Sequence, residues 1–164
     1  MTKAVDTPDV PALLETLDAV TKAAMAGLWD QAEWVFDTDE DRTITYEGRT
    51  FCGTGGCFAG WRALLDGAQM TQDDEGYMAI EFPNGQMVPG SQIGQWARQR
   101  LGLSVDQAGT LFEAGNSLAD LRGGVIAIIE GSESWESWQD QWWESHARSE
   151  EAVEATEELE LELV

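Results

Sequence analysis

Apolar positions along the chain recur with two different periods, and the switches between them mark out the elements. Val10, Leu13, Leu14, Leu17, Val20 and Ala24 fall three or four residues apart, with Pro11 just inside the start and Gly27 near the end, which predicts an amphipathic helix. After the polar run DTDEDR at 37–42 the period shortens to two in TITYEGRTF, where Ile44 and Tyr46 alternate with threonines and Glu47-Gly48 can turn the chain into a hairpin. Cys57, Trp61, Leu64 and Leu65 then return to helical spacing up to Gly67 and place Trp61 in the core. DDEGYMAIEFPNGQMVPG predicts a second hairpin, with Asn84-Gly85 supplying the positive backbone angles of a tight turn.

Between Ser91 and Glu130 the pattern predicts three short helices. Ile93, Trp96, Ala97 and Leu101 mark the first, Val105, Leu111 and Phe112 the second, and Leu118, Leu121, Val125 and Ile128 the third. Ser104 with Gln107 forms a capping box, Ser117 can cap the third helix, and Gly102 and Gly115 stand where helices end. The last periodic stretch is of another kind. Trp135, Trp138, Trp142 and Trp143 fall at i, i+3, i+7 and i+8, so a helix gathers the indoles on one face, to complete the core or to meet a partner. The closing LELELV alternates with period two and reads as an acidic tail or an added edge strand. The fold class is therefore α+β, a mainly helical single domain over 1–131 with two small hairpins among about five helices. An acidic, Trp-rich helix and tail follow over 132–164.

Charge narrows the functional classes. The 31 acids against nine bases give a net −22, and residues 130–164 alone hold 12 acids and a single base, Arg148. Direct nucleic-acid binding needs clustered Lys and Arg and is disfavoured; a helix-turn-helix reading of the short helices fails because Asp106, Glu113 and Asp120 occupy the last two, where Arg122 is the only base. No apolar run approaches the roughly 20 residues of a membrane helix. The N-terminal MTKAVDTPDVPALL lacks signal-peptide character, so a cytoplasmic location is expected. Two cysteines five positions apart do not make a disulfide framework and fit a reducing compartment.

CGTGGCFAGW at 52–61 is the stretch most like a chemical site. Cys57 at a helix start is placed for a lowered thiol pKa, but the one histidine, His146, lies far along the chain. Cys52, Cys57 and His146 are too few for a structural zinc, and no phosphate-binding lysine or dinucleotide pattern follows the glycines. In DTDEDR, Arg42 stands where a calcium loop needs glycine. No metal or cofactor is expected. Cys52, Gly53, Gly55, Gly56, Cys57, Gly60 and Trp61 read as a structural motif, a glycine hinge delivering a hairpin into a core helix.

Three segments carry a resemblance. WDQ-x-x-W at 29–34, CGTGGCFAGW at 52–61 and LGLSVDQAGTLFEAGNSLADL at 101–121 resemble small proteins of actinobacteria and their phages that share a CGT-x-x-C-x-AGW core. The resemblance spans roughly 29–122 and implies shared architecture and a phage origin rather than an activity. The acidic Trp-rich C-terminus lies outside it and is the expected seat of special function, with Trp135, Trp138, Trp142, Trp143, Glu136, Asp140 and Glu144 as candidate binding residues. The functional expectation is a noncatalytic acidic protein-binding module. It would be a phage-encoded modulator or inhibitor of a host protein with a basic surface, which it occupies by mimicking nucleic-acid charge. The alternatives are a thiol-dependent enzyme using Cys57 with His146 and a structural virion component.

Overall fold

The structure, a computed structural model, describes residues 7–146. Helix α1 spans Val10–Met25, started by Asp9, whose side chain accepts from the Ala12 amide at 3.1 Å. Its buried face is Ala12, Leu13, Thr16, Ala19, Val20 and Ala23, turned from the face the sequence suggests, and Leu14 stays 48% exposed. Small side chains on that face let α1 lie close against helix α2, Phe58–Leu65, to which it packs.

Every residue of α2 is buried. Phe58, Trp61 and Leu64 face one apolar cluster, with Leu13, Leu28, Leu111, Leu121 and Val125, while Ala59 and Ala63 face a second, with Val35, Ile80, Val88 and Ile93. This central helix also carries Arg62, with its side chain only 2% exposed. Its guanidinium donates to the Ala12 carbonyl and Thr16 Oγ1, both at 3.2 Å, and to Glu15 at 2.9 Å and Asp66 at 2.7 Å. Asp66 also accepts from Arg100 at 2.7 Å, and Arg100 donates to Asp9 at 2.9 Å. Carboxylates and guanidiniums thus alternate along a chain, Glu15–Arg62–Asp66–Arg100–Asp9, that joins α1, α2 and helix α3, Ile93–Leu101. The Ala12 amide and then Arg100 hold the Asp9 carboxyl below its ordinary pKa, against the opposing effect of burial.

Among the described residues seven short strands form three antiparallel sheets. Strand β1 (Val35–Asp37) pairs with β4 (Thr54–Gly56), and β2 (Thr43–Tyr46) with β3 (Arg49–Cys52). Strands β5 (Gln69–Gln72), β6 (Met78–Glu81) and β7 (Met87–Pro89) make the third sheet, in that order. The hairpin at Glu47-Gly48 is present, with φ of 48° and 78° matching a two-residue turn. At the second hairpin only Gly85 has positive φ, at 86°. Gly85 donates to the Phe82 carbonyl across Pro83-Asn84, because Pro83 fixes the first central angle and moves the turn one residue earlier. The two expected hairpins are thus accompanied by the β1–β4 pair and by β5. Neither shows alternation, since β4 is Thr-Gly-Gly and β5 is Gln-Met-Thr-Gln.

A single 3-10 turn, Gly90–Gln92, leads into α3, which ends at Gly102 with φ 67°. Helices α4 (Val105–Leu111) and α5 (Leu118–Glu130) both open with complete capping boxes, Ser104 with Gln107 and Ser117 with Asp120. Gly131, at φ 118°, breaks the helix before α6, residues 132–146. The break does not separate α6 from the domain, because its tryptophans pack back onto α4 and α5. The result is a mainly helical α+β domain. Among the described residues no helix is long and apolar enough to cross a membrane. The LELELV segment lies outside the described residues.

The chain of ion pairs makes a quantitative demand. Asp66→Ala strips Arg62 and Arg100 of a shared partner and leaves a buried cation under-compensated, so it should cost about 3 kcal/mol in urea unfolding. Asp9→Ala should cost about 1 kcal/mol, the worth of a helix cap. Equal losses for the two variants would show that the buried cation does not depend on Asp66.

Candidate functional site

The glycine-rich motif is built by close approach. The chain from Leu28 to Val35 runs across Gly55, Gly56 and Gly60. A Cβ on Gly60 would stand 1.6 Å from the Trp34 carbonyl oxygen, and one on Gly55 2.2 Å from that of Leu28. The Gly56 amide donates to Leu28 O at 3.2 Å and the Cys57 amide to Glu33 O at 2.8 Å. Only Gly53, at φ 67°, acts as the expected hinge, turning β3 into β4. Cys52 is exposed at the end of β3 and lines a cleft of about 390 Å³ with Asp37, Arg49 and Thr54. Arg49 there donates to the Leu64 and Leu65 carbonyls, so its role is to close the end of α2.

Cys57 is the N-cap of α2 rather than a member of its apolar stripe. Its sulfur accepts from the Gly60 amide at 3.4 Å and faces the Trp34 carbonyl at 3.8 Å. Burial pushes its pKa up to about 11 and outweighs the helix-start amides that pull it down. Enclosure thus overrides the lowering that a helix start offers a thiol. His146 stacks on Trp142 at 4.0 Å between ring centroids and lies 3.7 Å from Asp120, so its contacts belong to α6 and α5. Among the described residues no group of three or more His, Cys, Asp or Glu side chains gathers as metal ligands.

Two buried amides hold the motif segments together. Gln31 Oε1 accepts from Trp29 Nε1 at 3.2 Å and from the Phe58 amide at 3.1 Å, while its Nε2 donates to the Leu111 carbonyl at 3.1 Å. Asn116 Nδ2 donates to the carbonyls of Thr110 and Leu111, and its Oδ1 accepts from Trp142 Nε1 at 2.7 Å. Both satisfy backbone groups that helix ends leave unpaired. Trp61 Nε1 donates to Leu28 O at 2.8 Å, so WDQ, the glycine core and the Asn116 segment form one structural clasp.

The tryptophans of α6 divide. Trp135 and Trp142 are buried, and Trp135 Nε1 reaches Asp106 at 3.3 Å. Trp138 is half-buried against Gly123 and Gly124 of α5. Trp143 points away and is 58% exposed. The four indoles therefore do not form one binding face, because positions 135, 138 and 142 lie on the side that α4 and α5 cover. Glu136, Asp140 and Glu144 are exposed on the opposite side. Glu133, which the sequence reading did not single out, precedes them at i−3 and extends the stripe over three turns, with Trp143 at its edge.

Two measurements check this assignment. Thiol labelling of the native protein at neutral pH should modify Cys52 alone, with Cys57 reacting only on unfolding; equal native rates would contradict its enclosure. Gly60→Ala should cost more than about 3 kcal/mol or prevent folding. Gly109→Ala, with nothing within 4 Å of the new Cβ in α4, should be neutral or stabilise by up to about 1 kcal/mol. Compared with family models, with curated proteins and with solved structures, the chain matches none of them.

Proposed function

We propose that this chain is a noncatalytic acidic protein-binding module, encoded by a phage and acting in the cytoplasm of a bacterial host. It modulates or inhibits a host protein with a basic surface, by offering carboxylates where that protein would otherwise meet phosphates. The observation that carries the reading is the two-sidedness of α6. Its buried tryptophans fix the helix on the domain, so the stripe Glu133, Glu136, Asp140 and Glu144 is presented by a held scaffold beside the exposed Trp143.

The distribution of cations supports the same conclusion. Arg62 and Arg100 pair with carboxylates where α1, α2 and α3 meet, and Arg42, Arg49 and Arg98 donate to the protein's own carbonyls. None of these contacts reaches Glu133, Glu136 or Asp140. An aromatic ring beside a row of carboxylates combines the residue type most common at binding hot spots with charge that speeds encounter. Cys57, buried and held as a thiol, offers no comparable support to the enzyme alternative.

The test is capture from host lysate on immobilised protein. The wild type should retain a basic protein at about 50 mM salt and release most of it near 300 mM, where the screening length is short. Glu136→Lys with Asp140→Lys should abolish capture while leaving the unfolding free energy within about 0.5 kcal/mol of wild type. Capture that ignores both salt and charge reversal, or no retained protein, would defeat the reading.

A further inference from the structure

A groove of about 490 Å³ runs between the antiparallel pair α5 and α6. Its floor is apolar: Gly123, Ile126, Ala127 and the half-buried indole of Trp138. Ile126 is 45% exposed there, although it lies within a helix whose neighbours Val125, Ala127 and Ile128 are buried. At the Gly131 end two exposed carboxylates, Glu130 and Glu133, line the groove.

We infer that this groove is the docking site for a basic amphipathic helical segment of the partner. An aliphatic side chain of that segment rests on Ile126 and Trp138, and a Lys or Arg one or two turns away lies between Glu130 and Glu133. The inference rests on the acidic-module reading and names where such a partner is gripped. Charge complementarity selects the occupant: an apolar floor accepts many helices, but paired carboxylates at one end of it repel an acidic helix and orient a basic one. The floor supplies what a charged surface stripe lacks, namely desolvated apolar contact, which slows dissociation rather than only speeding encounter. The missing side chain at Gly123 is part of the design, since a Cβ there would stand 2.5 Å from Trp138 Nε1 and would force the indole out of its seat.

The experiment uses the full chain and a synthetic helical peptide of about 15 residues, with leucines along one face and lysines beside them. Binding is followed by calorimetry and by the Ile126 methyl resonance. The wild type should bind the peptide and shift that methyl, and should bind a Leu→Ser version of equal charge at least about tenfold more weakly. Glu130→Gln with Glu133→Gln should weaken binding about tenfold, against less than about twofold for Asp74→Asn with Glu75→Gln, which removes the same charge from a distant turn. Trp138→Phe keeps the seat filled and should retain most of the affinity, whereas Ile126→Asp should abolish it. Equal losses from the two charge-matched pairs, or an unmoved Ile126 methyl, would overturn the groove while leaving an acidic binding surface intact. No binding of the lysine peptide even at low salt would count against both.

Discussion

A guanidinium in the middle of a fully buried helix is the constraint around which this fold is arranged. Arg62 cannot be left unpaired without a penalty of several kcal/mol, so α1 must bring Thr16, Glu15 and the Ala12 carbonyl to it. Asp66, at the end of the same helix, must in turn be shared with Arg100. The geometry of α1, α2 and α3 is thereby fixed by polar contacts that tolerate little sliding, while apolar packing on both faces of α2 supplies the bulk of the burial. The apolar clusters alone would accept several crossing angles; the alternating series of charges accepts few.

The same logic recurs on a smaller scale at Gln31 and Asn116. Each is a buried amide that connects distant segments by answering backbone groups at helix ends. They converge on one carbonyl, that of Leu111, so the end of α4 serves as a junction between the WDQ segment, the start of α2 and the C-terminal helix. The close passage of the segment from Leu28 to Val35 over Gly55 and Gly60 explains why the tryptophan-containing segment and the glycine core belong together as a motif. What looked like a chemical site is a packing device, and its cysteine is a helix cap.

With α6 fixed to this junction, its two faces acquire different roles. Three of its tryptophans are spent on the domain, through Asp106, the Gly123-Gly124 floor and Asn116. The carboxylates and Trp143 are left outward. A surface helix held in this way presents its charges with little conformational freedom, which favours recognition over nonspecific attraction. The neighbouring groove brings apolar surface to the edge of that field, so charge and desolvation act on the same side of the molecule.

Local signals in the chain determined what is local in the structure. Ser104 with Gln107 and Ser117 sit where helices start, Gly102 where one ends, and Glu47-Gly48 where a hairpin turns, because caps and tight turns depend on residues within four positions of one another. The charge imbalance and the helical register of the tryptophans were equally plain. Tertiary structure decided the rest. The β1–β4 pair joins residues about twenty positions apart through glycines that carry no strand preference, and the partners of Arg62 come from a helix some fifty residues earlier. Which tryptophans are buried depends on where α4 and α5 lie, and the pKa of Cys57 depends on how completely it is enclosed rather than on the helix it starts. Periodicity can say that a face is apolar, but the element that covers it is set by contacts far apart in sequence.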